Sequence, residues 1–426
     1  MKKSILIAVT ACLIGCPPPE TPSDQVKKKI YLEVLPKTES TALNVYDTET
    51  KTWSLKENQK YDMITYAGGV EEGEAGSEKI KDAYILWHED EFEYADMDEL
   101  WNAKISSDNT LPAWKSDETW NVSSRTPFTD VKDGRLILST YRIDLTKTDS
   151  AIYQQEITKH NQYAKNLVLD QPNPKRKQRI ENNLSSIVGG INFAQDWLYG
   201  YCEAEIWVQT PRKYCNFWCG FYSIGYKKLN NDPARCYEQE FDIWEEVSNT
   251  VGDQIYHHWS SDHSSDLGYV CNSRPANRFL SYQKGTKWSD LTVRTPGGYL
   301  NKAEYVKAGL AWTPERLIFY LYNPDKGVME EKMSFSADDD TAEFYKKAGE
   351  IFSQEEIKLI NYIPDIPQII HLVIASNNVE KPNEWPAVGA PTNTSFAQAS
   401  YGQVEPFIYY ESFKLYKYAG KFDGVQ

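Results

Sequence analysis

The sequence contains no long run of basic residues, and the short cluster Lys175-Arg176-Lys177 is typical of a solvated loop. Its 46 lysines and arginines face 61 aspartates and glutamates, which gives a net charge of −15 over 426 residues. Proteins that bind nucleic acid need clustered positive charge to meet the phosphate backbone. The composition therefore predicts no nucleic-acid partner.

Long apolar runs are also missing, except for one at the start of the chain. Residues 5–14 follow Lys2 and Lys3, and this run is too short to span a bilayer as a permanent helix. Residues 1–15 are typical of a secretory signal peptide, and Gly15-Cys16 at its end resembles the lipobox of bacterial lipoproteins. The resemblance implies cleavage before Cys16, lipidation of its thiol, and export to the cell surface or the periplasmic face. The alternative is a plain signal peptide with an incidental cysteine.

Cysteines are few, and they do not form a metal-binding pattern. Of the seven, Cys12 and Cys16 lie in or next to the leader, and five remain. Cys215 and Cys219 lack the further cysteine or histidine ligands that a zinc site requires. Export permits disulfides, but their pairing cannot be deduced from spacing. No cofactor is expected.

Short strand-like segments separated by turns make up most of the remaining chain. Residues 16–27 are predicted to be a polar tether, 28–78 a small β-rich extension with a linker, and 79–420 one large domain. The recurring strands predict antiparallel sheets rather than βαβ units. Residues 341–361 have helical spacing and predict one short surface helix, while residues 148–183 predict a polar loop. Trp207, Trp244 and Trp312 are expected in the core.

Three acids interrupt one of the predicted buried strands, at Glu240-Phe241-Asp242-Ile243-Trp244-Glu245. Unpaired charge is costly to bury, so acids in such a strand favour chemistry at a cleft floor. Regular alternation puts Glu240 and Asp242 on one face and Glu245 on the other. One extra residue, a β-bulge between Asp242 and Glu245, would bring all three acids to one face. The alternative is a solvent-facing acidic edge strand.

The acid motif and the segments around it resemble glycoside hydrolase family 16 over residues 84–418. Six segments in the family's order carry the resemblance. They are Leu86-Trp87-His88-Glu89-Asp90-Glu91-Phe92, Asp133-Gly134-Arg135-Leu136, Tyr199-Gly200-Tyr201-Cys202-Glu203-Ala204-Glu205-Ile206, Phe217-Trp218, Leu310-Ala311-Trp312-Thr313-Pro314-Glu315 and Phe413-Lys414-Leu415-Tyr416.

This resemblance implies an all-β fold, a concanavalin-like β-jelly-roll sandwich of two antiparallel sheets with an open cleft. It also implies a retaining endo-glycosidase that cleaves internal β-1,3 or β-1,4 linkages of a glucan or galactan. Glu240 matches the nucleophile, Asp242 the assisting carboxylate and Glu245 the general acid/base. Glu411-Ser412 stands where the family often has Asp-Tyr, which weakens the implied structural calcium site.

Substrate-binding candidates are Trp218, as a sugar-stacking ring, and His257 with Trp259, which alternation puts on one face. A core tryptophan and a structural histidine are the respective alternatives. The expected partner is a polysaccharide, and the protein is expected to be a monomer that contacts the membrane only through its lipid anchor. A non-catalytic glycan-binding lipoprotein and a transglycosylase are the rival functions.

Overall fold

The computed structural model describes 15 segments of the chain. They are residues 31–34, 38–61, 64–67, 81–117, 122–142, 186–208, 217–229, 232–247, 254–262, 278–281, 293–294, 305–323, 327–349, 352–376 and 404–422. The leader with Cys16, the tether, the linker at 68–77 and the polar insert at 148–183 lie outside these residues. No helix among the described residues is long and apolar enough to cross a membrane.

Strands dominate the described part of the chain. In chain order they are β1 Tyr31–Val34, β2 Thr38–Asp47, β3 Thr52–Tyr61, β4 Ile64–Ala67, β5 Lys81–Asp90, β6 Lys104–Ile105, β7 Asp108–Pro112, β8 Trp114–Ser116, β9 Val122–Ser123, β10 Thr129–Val131, β11 Leu136–Arg142, β12 Ser186–Phe193, β13 Gly200–Val208, β14 Phe217–Leu229, β15 Asp232–Val247, β16 Gln254–Asp262, β17 Arg278–Ser281, β18 Val293–Arg294, β19 Tyr305–Trp312, β20 Arg316–Asn323, β21 Val328–Ser336, β22 Ile369–Ser376 and β23 Val404–Phe422. The helices are α1 Met97–Asn102, α2 Ala342–Gly349 and α3 Gln354–Ile357.

Two antiparallel sheets form the body of the protein. Sheet I runs in the order β21-β20-β19-β13-β23-β11-β12. Sheet II runs in the order β16-β15-β14-β22-β12-β8, with β17 and β18 on the outer side of β16. Strand β12 belongs to both sheets and joins them, while the short β9 pairs with it in parallel.

The core lies between the two sheets, because each sheet turns one apolar face inward. The Phe413 ring of β23 meets the Phe221 ring of β14, with centroids 6.1 Å apart. Trp312 of β19 meets Phe241 of β15 at 5.1 Å. Each fully buried side chain of this size contributes about 1.5–3 kcal/mol of transfer free energy. This face-to-face packing confirms the predicted all-β sandwich.

Two of the three tryptophans expected in the core are there. Trp244 and Trp312 are fully buried, and the Trp312 indole nitrogen donates to the Pro364 carbonyl at 2.9 Å. Trp207 is instead half-buried on the outer face of sheet I, where its ring meets that of Tyr305 at 5.3 Å. Side chains of β13 point alternately to the two faces of the sheet, and Cys202, Ala204 and Ile206 point into the core. Trp207, the residue after Ile206, therefore points to the outer face.

The helical insert forms two helices rather than the predicted one. Helix α2 ends at Gly349, and α3 starts with a capping box in which the Ser353 hydroxyl accepts from the Glu356 backbone N–H at 3.3 Å. Phe344 and Ala348 of α2 are fully buried, so the insert packs its apolar side into the core. Helix α1 was not expected; the Asp96 side chain caps it by accepting from the Glu99 N–H at 2.9 Å.

The N-terminal extension pairs with two strands of sheet I. Strand β1 pairs with β21 through Tyr31 and Glu330, and β2 pairs with β23 through Asn44 and Lys421. Strands β2 and β3 form a hairpin whose turn includes Lys51 at φ 54°. The domain boundary near residue 78 stays a prediction.

Asp90 organises a buried polar network at the start of the large domain. Its carboxylate accepts from the Tyr94 hydroxyl at 2.6 Å, from the Trp114 indole N–H at 2.6 Å and from the Phe92 N–H at 2.7 Å. Three donors satisfy this buried carboxylate, as a buried charge requires. The segment around Asp90 that resembles the family's opening motif therefore has a structural role in this protein.

A second charged cluster lies on the outer face of sheet I. The Lys307 ammonium contacts Glu203 Oε1 at 3.0 Å and Glu205 Oε1 at 3.2 Å. The Tyr201 and Tyr305 hydroxyls donate to the same two carboxylates at 2.7 and 2.9 Å. Burial opposes the positive charge, but the two carboxylates outweigh burial and raise the pKa of Lys307 above its usual value.

Candidate active site

Strand β15 carries one extra residue between Asp242 and Glu245. On the β14 side, Phe221 and Tyr222 follow each other directly, whereas their partners on β15 are separated by Ile243. The β16 side shows the same interruption, with a register shift between Asp242 and Glu245. Both neighbouring strands therefore confirm the predicted β-bulge.

Because of the bulge, the three acids occupy positions on one face of sheet II, which we call the acid face. Their partners on each neighbouring strand are two residues apart, and alternate residues of a strand share a face. These partners are Ile224, Tyr222 and Gly220 on β14, and Ser260, His258 and Tyr256 on β16. The residues between the acids are Phe241, Ile243 and Trp244, which are fully buried in the core.

The acid face is not a wet sheet edge. Strand β15 has a paired strand on both sides, so its carboxylates lie within the sheet. Asp242 is 5% exposed and Glu240 is half-buried. For Glu245 the structure describes the strand position alone. This arrangement argues against the alternative of a solvent-facing acidic edge strand.

A row of polar residues runs across the sheet from Asp242. The paired positions are Asp242 on β15, Tyr222 on β14, His371 on β22 and Asn192 on β12. The Tyr222 and His371 rings stack in parallel, with centroids 4.6 Å apart and 2° between their planes. We call these four residues the polar row.

Two neighbours hold the His371 ring in place. His371 Nδ1 lies 3.3 Å from Asp117 Oδ2, and the Asn192 amide nitrogen, oriented to donate, lies 2.6 Å from Nδ1 and 3.0 Å from the same Asp117 oxygen. His371 Nε2 is buried and has no hydrogen-bond partner among the described residues. The polar row thus supplies a rigid aromatic support beside Asp242.

Sequence patterns alone carry no functional expectation for the polar row. His371 is a polar interruption of an apolar strand, beside Ile369, Ile370 and Leu372, and no sequence motif includes Tyr222 or Asn192. The signal that could have found them is register, since they share a row with Asp242.

The register corrects the expectation for the histidine strand. His258 pairs with Asp242, and Trp259 pairs with the core residue Phe241. The position on the acid face is therefore that of His258, rather than those of His257 and Trp259. The sequence could not decide this, because strand alternation fixes relative faces and only the pairing fixes which face meets the acids.

Trp218 takes a position on the acid face. It lies two residues before Gly220 on β14 and pairs with Val247 and Ala375. For Trp218, as for His257 and Trp259, the structure describes strand positions alone, so its sugar-stacking role stays a prediction. No group of three or more histidines, cysteines, aspartates or glutamates among the described residues could hold a metal ion.

Comparisons with known proteins found similar solved structures only. A scan against protein-family models and a search of curated proteins gave no match. The κ-carrageenase from Pseudoalteromonas carrageenovora, in complex with an oligotetrasaccharide of κ-carrageenan, is 12% identical over 82% of this chain and 100% of that chain, with a TM-score of 0.42. Porphyranase B from Zobellia galactanivorans is 14% identical over 79% and 94%, with a TM-score of 0.39. A Bacteroides ovatus mixed-linkage glucan GH16 in complex with a G4G4G3G product is 14% identical over 77% and 98%, with a TM-score of 0.37. Since these TM-scores are below 0.5, the similarities assign no activity to this chain.

Proposed function

We propose that this protein is a retaining endo-glycoside hydrolase of family 16 that cleaves internal β-1,3 or β-1,4 linkages of a glucan or galactan. The observation that carries the proposal is the bulge in β15, which brings Glu240, Asp242 and Glu245 to one face of the sheet. Two carboxyl groups on either side of a sugar–sugar bond are the minimum for glycoside hydrolysis.

The roles are those that the resemblance to family 16 implies for the three acids. Glu240 attacks the anomeric carbon while Glu245 gives its proton to the glycosidic oxygen, and the leaving chain departs with that proton. Glu245 then takes a proton from water, and the water oxygen displaces Glu240 from the anomeric carbon. Asp242 lies between them and keeps Glu240 oriented. It also helps the two glutamates to keep different protonation states, with Glu240 ionised and Glu245 protonated.

The spacing of the acid positions is compatible with this mechanism. Glu240 and Glu245 pair with Ile224 and Gly220, four residues apart on β14, so their Cα atoms are separated by about 13 Å along the strand. Retention requires the carboxyl groups to be about 5–5.5 Å apart. Both glutamate side chains must therefore lean toward each other over Asp242.

Hydrolysis is tested by measuring reducing ends released from laminarin, mixed-linkage glucan, agarose, porphyran and carrageenan. We expect cleavage of one of these polysaccharides by the wild type and loss of at least about 1,000-fold in Glu240→Gln and Glu245→Gln. Glu246→Gln is the matched control, because Glu246 is on the same strand but pairs with Cys219 and Ile255, one position off the acid face. Proton NMR of the first product should show the anomer of the substrate.

The outcomes separate the rival functions. Binding without cleavage by the wild type would support a surface glycan-binding protein instead. Products longer than the substrate would support a transglycosylase, in which a sugar hydroxyl replaces water. Cleavage that survives Glu240→Gln would refute the assigned roles.

We also propose that the protein is exported and anchored through a lipid on Cys16. The support is the sequence of the leader alone, since these residues lie outside the described part of the chain. Cys16→Ala should move the protein from the membrane fraction to the soluble fraction of its bacterial host. An unchanged distribution would refute the anchor.

A further inference from the structure

A cavity of about 310 Å³ lies at one end of the sandwich, away from the acid face. The tip of the β2–β3 hairpin, the segment before β13, and helix α2 with the segment after α3 enclose it. Lys227 of β14 reaches this end through Asp365, with Nζ 3.8 Å from Oδ2. Lys227 is five residues from Tyr222 of the polar row along β14, so the Cα atoms of these two residues are about 16 Å apart. We call it the hairpin pocket.

Tyrosines dominate the wall of the hairpin pocket. Tyr46 comes from the hairpin, Tyr199 from the segment before β13, Tyr345 from α2 and Tyr362 from the segment after α3. The Tyr46 and Tyr199 rings meet edge to face, with centroids 6.2 Å apart. Tyrosine combines an apolar ring with a hydroxyl, which suits a ligand that has both apolar and polar surface.

Asp365 is the charged group of the pocket, and its two oxygens differ. Oδ2 accepts from the Asn361 amide at 2.6 Å and from the Lys51 ammonium at 3.2 Å. Oδ1 is buried and has no hydrogen-bond partner among the described residues. The Asp365 side chain is 14% exposed, and because Oδ1 is covered, Oδ2 is the carboxylate oxygen that a donor in the pocket can reach.

The charges select a neutral ligand. A cation would meet the ammonium groups of Lys51 and Lys227, and an anion would meet the Asp365 carboxylate that both lysines contact. A neutral molecule with hydroxyl groups can donate to Asp365 Oδ2 without either conflict. Burial and the nearby Asp365 charge raise the pKa of Tyr199, so its hydroxyl stays protonated at neutral pH.

From these contacts we propose that the hairpin pocket is a second carbohydrate-binding site for a short stretch of a neutral glycan chain. A sugar ring offers hydroxyl donors for Asp365 and an apolar face for the tyrosines. The cavity volume is at the lower end of that of small-molecule sites, which fits one or two sugar units. Binding here does not require that the acids of the acid face hydrolyse anything.

Titration calorimetry tests the site with laminaritriose and neoagarotetraose as probes. The parent protein is full-length Glu240→Gln, which leaves the probes uncleaved. Asp365→Asn or Tyr345→Ala is introduced into this parent as a second substitution. We expect the binding event at the hairpin pocket to lose about tenfold in affinity in Asp365→Asn, because an uncharged acceptor forms a weaker hydrogen bond than a carboxylate. Tyr345→Ala should weaken the same event. Tyr322→Ala is the matched control, because Tyr322 is also half-buried but lies on β20 outside the pocket.

The outcomes keep this site distinct from the proposed hydrolysis. If the acid face binds nothing, the pocket event remains alone and still responds to Asp365→Asn. Thermal unfolding of each variant shows whether it is folded. If folded Asp365→Asn and Tyr345→Ala proteins bind both probes as the parent does, or if neither probe binds the parent, the proposal is wrong.

Discussion

Deleting Ile243 would remove the bulge while leaving the acids on their face. In the shortened strand, Trp244 follows Asp242 directly. Their partners on β14, Phe221 and Tyr222, are also consecutive, so the two strands pair without an extra residue. Glu245 then keeps its partner Gly220, and the acids occupy alternate positions. Deleting Phe241 instead puts Glu240 next to Asp242, so alternation turns Glu240 to the core side.

The two deletions therefore have different expected effects. Loss of the fully buried Ile243 side chain should lower the free energy of unfolding by about 1.5–3 kcal/mol. The span from Glu240 to Glu245 stays at about 13 Å, so hydrolysis should fall by no more than about 100-fold, the effect of a misplacement near 1 Å. Loss of Phe241 costs about 3–5 kcal/mol and should reduce hydrolysis to the level of Glu240→Gln.

The assay is reducing-end release at one saturating polysaccharide concentration, with urea unfolding of each variant. Ile243→Ala keeps the bulge and calibrates the cost of the lost side chain. A folded Ile243 deletion variant that is as inactive as Glu240→Gln would refute the reasoning, because placing the three acids on one face of the sheet would then not be enough for hydrolysis. Because the Phe241 deletion could fail to fold, the comparison with Ile243→Ala decides the result.

Two further predictions concern groups outside the acid face. Lys307→Met leaves Glu203 and Glu205 without their cation and should lower the free energy of unfolding by about 3 kcal/mol at pH 7 in urea titrations. The raised pKa of Lys307 means that its contribution in the wild type is complete below about pH 10.5 and is lost as the pH rises further. The difference in unfolding free energy between the wild type and Lys307→Met should therefore shrink above that pH, and a difference that stays undiminished there would contradict this account. Burial raises the pKa of the Cys202 thiol, so this thiol should not react in the native protein. Cys202→Ala should therefore remove one thiol that Ellman's reagent titrates in denaturant and none that it titrates in the native protein. A difference between the native proteins would show that Cys202 is accessible.

The strands and the bulge could be predicted from the sequence because they depend on local patterns. Alternating apolar residues identify β13, and a nearly continuous apolar run identifies β22. Three acids in a buried strand require a break in alternation. Asp133 and Gly134 both have positive φ in the tight turn between β10 and β11, which is another feature of local origin.

Strand pairing could not be predicted from the sequence, because it depends on residues far apart in the chain. His371 is 129 positions after Asp242, yet it lies in the same row of sheet II. The choice of His258 over His257 also depends on pairing rather than composition. The hairpin pocket combines residues 46 and 365, which no local pattern connects.

Strand β23 has a consequence for the order in which the sheet forms during folding. It pairs with β13, β11, β5 and β2, all of which are far from it in the sequence. Pairing over such separations is slow, because a long loop must close first. Until β23 pairs, β13 has one open edge and β5 lacks its long antiparallel partner. Sheet I is therefore expected to complete late in folding, after hairpins of neighbouring strands such as β14 and β15 have formed.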